Sequence, residues 1–237
     1  KRMKDWLQSG PKERGEKPQP VYFHTDATQA VNYLNCDVQE NYADLLSLSG
    51  HKIYGPKGIG VLYVKAGTLL RGMQLGGHQE NSLRSGTLNV PGIVGLGAAI
   101  GQIDEKTREK NNKKIAKLRD KLIAGIIKKV PDVVLNTDRS ISTPSHAHFS
   151  FLGVEGESIL ISLDLEGVAV STGSACASGS LKPSHVLLAM GIRQEVAHNS
   201  IRFTLGKDTT DEDIRHAIKV MPPIIKKLRK MVPEGVV

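Results

Sequence analysis

The sequence predicts an α/β protein. Three observations carry this. Short β-rich runs alternate with stretches of helical period, Gly- and Pro-containing turns separate them, and no internal repeat is visible. The 237 residues, 39% hydrophobic and 24% charged, suffice for a sizeable core. No run of about 18 apolar residues occurs, so no membrane-spanning helix is expected.

Residues 1–20 carry three prolines and no apolar period, and read as a lead-in with a short helix near residues 3–7. They lack the apolar segment of a secretory signal. VYFHTDA (21–27), ADLLSLSGHK (43–52) and GVLYVK (60–65) are expected strands. YGPKG (54–58) is a turn between the last two. GGHQENSLRSGTLNVPG (76–92) has little period and reads as a long functional loop. From Pro91, Ile93, Leu96, Ile100 and Ile103 recur at helical spacing. That helix either runs on into the next or breaks near residues 104–110.

The next helix is basic. Residues 106–129 hold ten Lys/Arg and two acidic residues, equal to the whole net charge of +8. Ile115, Leu118, Leu122 and Ile126 give it one apolar face, so the charge is expected on a solvated face. An acidic partner protein is the alternative. Nucleic acid comes third, since aromatics are 4% and offer few stacking platforms.

DVVLNT (132–137), AHFSFL (147–152), VAVSTG (168–173) and SIRFTLG (200–206) are expected strands. Residues 157–165 and 183–190 are expected helices, the second with Pro183 at its first position and Gly191 as its stop. The last helix starts at Thr209-Thr210-Asp211, with Pro222-Pro223 expected to kink or restart it. A domain boundary is expected near 100–110.

Five places combine reactive groups with permissive backbone. Asp26 ends a strand, with Gln29 three residues on. Its carboxylate either caps a turn or holds a cation or protonated ring nitrogen at the carboxyl edge of the sheet. Ser49-Gly50-His51-Lys52 ends the next strand. It is either a surface loop or a phosphate site beside a lysine able to form a Schiff base. Arg84-Ser85-Gly86-Thr87 is compatible with phosphate but common in loops.

Cys176 lies in STGSACASGS (171–180), a run of small residues. Structural cysteines usually have apolar neighbours, so this is either a working nucleophile or an incidental loop cysteine. Cys36 has no such context and reads as structural. The two cysteines lie too far apart for a disulfide framework and form no CxxC metal pair, so no metal site and a reducing, cytoplasmic setting are expected. Arg202 is a charge in an apolar strand, matched either by a substrate carboxylate or by a structural ion pair.

DATQA, SGHKIYGPKG, RSGT, STGSACAS and SIRFTLG occur in the order of the NifS/IscS-type cysteine desulfurases, which this chain resembles from Val21 to about Val232. The 26-residue step from Asp26 to Lys52 also fits that family. These are class V aminotransferase-group, fold type I enzymes dependent on pyridoxal 5'-phosphate (PLP). The resemblance implies the C-terminal part of that α/β fold: a partial large-domain sheet over residues 21–105 and a smaller domain over 106–237 that carries a mobile cysteine loop.

It further implies a role for each residue. Lys52 would hold PLP covalently and shuttle a proton. Asp26 would pair with the pyridine nitrogen and Gln29 with the ring oxygen. Ser49 and His51 would bind the phosphate. Thr87 would reach the phosphate of a partner subunit's cofactor, implying a homodimer. Arg202 would clamp the carboxylate of L-cysteine, and Cys176 would take its sulfur as a persulfide, releasing alanine. The acceptor would be an iron–sulfur scaffold or a tRNA-thiolation protein, with no membrane and no direct nucleic-acid contact. The family's N-terminal part, with its phosphate loop and ring-stacking histidine, is not matched. A truncated chain that only binds or oligomerises is therefore one alternative, and a selenocysteine lyase is another.

Overall fold

The structure is a computed structural model that describes residues 20–172 and 183–231. The chain divides into two compact units, Lys1–Glu109 and Lys110–Val237.

In the first unit, strands β1 (His24–Asp26), β2 (Leu45–Ser49) and β3 (Gly60–Val64) form a sheet in that order. β1 and β2 are parallel, with Asp26 opposite Ser47. β2 and β3 are antiparallel, with Ser49 opposite Gly60. The β-rich run ending in HK is thus a strand only to Ser49. Gly50–Ile53 turns into a 3-10 helix closed by Tyr54 in the left-handed region.

Gly50 permits that turn. A Cβ there would lie 2.8 Å from Ile59 Cγ2 and 2.9 Å from the Pro56 carbonyl oxygen. The long loop contains a second 3-10 turn, Gln79–Ser82. Helix α1 (Val90–Gly101) follows, its start capped by Asn89, whose Oδ1 accepts from Gly92 N at 3.1 Å. Ile53, Leu96 and Ala99 are buried together, with Val31, Leu48, Ile59 and Ile103 packed against them.

Helix α2 (Glu105–Lys129) is separate from α1. Asp104 starts it by accepting from Thr107 N at 2.8 Å. Ile115, Leu118, Leu122 and Ile126 are buried, as their spacing predicts. The basic face is less solvated than expected. Arg119 is 6% exposed, donates to the Thr143 carbonyl at 3.3 Å and pairs with Asp120 at 3.0 Å. Its guanidinium finds partners where α2 passes the chain before β5, which composition could not reveal.

In the second unit, β4 (Val133–Leu135), β5 (His146–Phe151) and β6 (Ser200–Thr204) form an antiparallel sheet. Period two divides its residues. Ala147, Phe149, Phe151, Ile201 and Phe203 are buried on one face, with Phe203 edge-on to Phe149 at 6.0 Å between ring centres. His146, His148, Ser150 and Arg202 fall on the other.

Helices α3 (Gly156–Leu165), α4 (His185–Ala189), α5 (Gln194–His198) and α6 (Asp211–Arg229) complete the unit. α6 opens on a capping box, with Thr210 Oγ1 accepting from Asp213 N at 3.2 Å and Thr210 N donating to Asp213 Oδ2 at 2.8 Å. Gly125 of α2 makes room for α6: a Cβ there would lie 2.4 Å from Ile218 Cδ1.

Two expectations are corrected here, for residues 168–172 and for Pro183. Of the strand expected over 168–173, the described residues 168–172 form none: Ser171 alone among them bridges to Arg202, and Val168 N donates back to the Leu163 carbonyl at the end of α3, while residue 173 lies outside the described residues. Pro183 is not the first residue of α4, because Ser184 after it still has non-helical backbone and the helix begins at His185. α5 was not foreseen, being too short to show a period. α6 does not restart at Pro222-Pro223 and runs on as one helix, with Val220 and Met221 buried before the prolines and Ile225 after them.

Candidate active site

The parallel pairing of β1 and β2 brings two of the singled-out segments to one edge. Ala27 N donates to the Ser47 carbonyl at 2.8 Å, so β1 ends at the same edge two residues before β2 does. Asp26 and the Ser49–Lys52 segment therefore leave the carboxyl edge of the sheet side by side, where α/β sheets bind ligands.

Asp26 is exposed, and its Oδ1 accepts from Thr28 N at 3.0 Å. Hydrogen bonds from the side chain and backbone of Thr28 hold its carboxyl below the usual range, against the small opposing effect of burial; His24 adds a weaker pull. Asp26 thus shapes the turn, as one of its two readings has it. Gln29 is exposed in the same turn.

Ser49 Oγ lies 2.9 Å from His51 Nδ1. Lys52 is exposed on the 3-10 turn. Its backbone is pinned by Asn32, whose Nδ2 donates to the Lys52 carbonyl at 2.7 Å. Sequence reasoning missed Asn32; it lies in the turn after Asp26, and only the strand pairing shows which turn it meets. Thr87 is exposed just before Asn89 and α1, and no hydrogen bond ties it to Asp26 or Lys52.

Arg202 stands in the second unit. Its N and carbonyl oxygen exchange hydrogen bonds with Ser171, at 2.7 and 3.2 Å. Its Nε is buried and has no hydrogen-bond partner, and no ion pair reaches it among the described residues. The structural ion pair weighed for Arg202 is not found there. A buried, unpaired N–H costs free energy until an acceptor arrives, and a carboxylate oxygen is such an acceptor. Cys176 lies outside the described residues. Four residues before it, the described chain stops at Thr172, next to the Ser171–Arg202 bridge.

The other cysteine, Cys36, is free and half-buried. Burial pushes its thiol up, partly offset by Arg108, the opposite of an activated nucleophile.

A family profile described as Aminotransferase class-V matches residues 14–216. The chain belongs to the class V aminotransferase family. It is 49% identical over 226 residues to a protein named cysteine desulfurase IscS from Clostridium botulinum, covering 94% of this chain and 57% of that one. The chain thus spans little more than half the length of such curated relatives. A solved structure titled NIFS-like protein superimposes with a TM-score of 0.80 at 32% identity, over 90% of this chain and 54% of that one. Another, titled SspA in complex with cysteine, gives a TM-score of 0.63 at 33% identity, over 80% and 52%. The fold is therefore that of the NifS-like, fold type I class V aminotransferases, as the motifs implied.

Proposed function

We propose that this chain carries the cofactor lysine and the sulfur-accepting cysteine of a PLP-dependent cysteine desulfurase. The observation that carries the reading is the shared carboxyl edge of β1 and β2, which sets Asp26 beside the Ser49–Lys52 segment.

The residues fit PLP chemically. An ionised carboxylate, Asp26, suits a protonated pyridine nitrogen. A hydroxyl and an imidazole, Ser49 and His51, suit a phosphate, and an exposed amine, Lys52, suits an aldehyde. Bound there, PLP supplies an electron sink for cleavage at the substrate's carbon–sulfur bond.

This chain's own residues do the rest. Asp26 holds a proton on the ring nitrogen side, and Gln29 donates to the ring oxygen. Lys52 binds the cofactor and moves a proton to and from substrate carbon. The buried, unpartnered Nε of Arg202 orients the carboxylate of L-cysteine. Cys176 receives the sulfur as a persulfide, and L-alanine leaves. The relatives' names support this substrate and reaction.

Thr87 acts toward a second copy's cofactor phosphate, in a cytoplasmic homodimer. The acceptor is a scaffold for iron–sulfur cluster assembly, consistent with the IscS name of the relatives. Lys106, Lys110 and Lys117 of α2 are exposed and suit an acidic face of that acceptor.

The test is chemical. The full chain, loaded with PLP and given L-cysteine, is alkylated and digested. A persulfide adduct on Cys176, absent from Cys176→Ala, is the expected result. Persulfide confined to Cys36, or none, contradicts the reading.

A further inference from the structure

The double proline of α6 lines a groove that the proposed reaction does not use. The groove, of about 560 Å³, opens between the end of α2 and the second half of α6. Buried Val130 and Ile225 line it together with Pro131, Pro222 and Pro223. Proline is the poorest helix former, so helix propensity does not explain the pair inside α6. Their rings do supply rigid apolar surface without N–H donors.

Arg229 fastens the two sides. Its Nη2 donates to the carbonyls of Pro131 at 3.0 Å, Asp132 at 3.2 Å and Leu152 at 3.0 Å, and its Nε donates to that of Leu152 at 3.1 Å. The end of α6 is thereby tied to the chain that follows α2, and the groove is preformed. Asp132 Oδ2 also lies 3.9 Å from Arg229 Nη1, so that guanidinium is already engaged.

Three lysines rim the groove. Lys129 stands on α2, and Lys226 and Lys230 stand one turn apart at the end of α6. All are exposed, and no ion pair reaches them among the described residues. Each helix C-terminus carries about half a negative charge, and three lysines outweigh two such ends.

The cations occupy both banks. A single carboxylate, as on a fatty acid, meets one bank at a time. A flat anionic bilayer meets the lysines but not the recessed apolar residues. An acidic peptide with one bulky apolar side chain meets all of them.

We propose that this groove binds an acidic segment of a partner protein. One bulky apolar side chain seats against Pro131, Pro222 and Pro223, and flanking carboxylates pair with Lys129, Lys226 and Lys230. The site lies about 18 Å along α2 from Lys117, apart from the lysines proposed for the sulfur acceptor. It does not depend on the reading of Lys52 or Cys176.

The experiment uses the full chain without PLP and fluorescein-labelled peptides, followed by anisotropy. EEFEE should bind, and EEGEE, which lacks the apolar anchor, and KKFKK should bind at least ~5-fold more weakly. Lys129→Glu, and Lys226→Glu with Lys230→Glu, should each weaken EEFEE at least ~5-fold, while Lys106→Glu with Lys110→Glu leaves it unchanged. If EEGEE equals EEFEE, or if the reversals at Lys106 and Lys110 weaken binding as much as those in the groove, the attraction is general charge and the proposal falls. It falls equally if no peptide binds, if phosphatidylglycerol vesicles displace EEFEE, which would assign the surface to a membrane, or if EEFEE binds only after residues 232–237 are removed, which would assign the groove to this chain itself.

Discussion

Asn32 Nδ2 donates to the Lys52 carbonyl at 2.7 Å, across 20 residues of sequence. The turn that follows Asp26 thereby holds the turn that carries Lys52. Both ends of the candidate cofactor site are tied by one side chain.

Asn32→Ala should loosen that tie. One hydrogen bond contributes about 1 kcal/mol net, so PLP affinity should fall ~5-fold, with far-UV circular dichroism unchanged. Absorbance titration with PLP measures it. Unchanged affinity would show that the Lys52 turn is set by Gly50 and Tyr54 alone.

Gly50→Ala should destabilise the first unit by about 1–3 kcal/mol, because the added Cβ meets the Pro56 carbonyl at 2.9 Å and backbone cannot step aside cheaply. Gly58→Ala meets no neighbour, but its φ of +76° costs an alanine about 1–2 kcal/mol. Urea midpoints of the two variants check this. If Gly50→Ala equalled wild type, the close packing of Pro56 and Ile59 on Gly50 would be wrong.

His148 should make the second unit acid-sensitive. Burial first, then the Arg202 charge and then His146, lower its pKa from 6.5 to about 4. The folded state favours the neutral ring. The stability linked to it is therefore complete above pH 6.5 and is lost as pH falls from 6.5 through about 4. A shift of that size corresponds to about 3 kcal/mol. His148→Asn should flatten the pH dependence of the denaturation midpoint over that interval. An identical slope in wild type and variant would contradict the assignment.

Motif order and strand period made much of this legible. The run from Gly60 and the heptad-like Ile115, Leu118, Leu122 and Ile126 appeared where local pattern placed them, because each depends only on its own residues. Arg119 did not, since its burial depends on a carbonyl 24 residues away. Nor did the pairing of His148 with Arg202. HAHFSF alternates visibly, but which strand lies beside it, and at what register, is a long-range fact. The run from Val168 misled for the same reason: β-branched residues gave it strand character, while among the described residues 168–172 pairing uses only Ser171.

The central claim is that Lys52 holds the cofactor, and trapping tests it most directly. The full chain is incubated with PLP, reduced with borohydride, digested and mapped by mass spectrometry. A pyridoxyl group on Lys52, lost in Lys52→Arg, is the predicted result; adducts scattered over other lysines, or none, would contradict it.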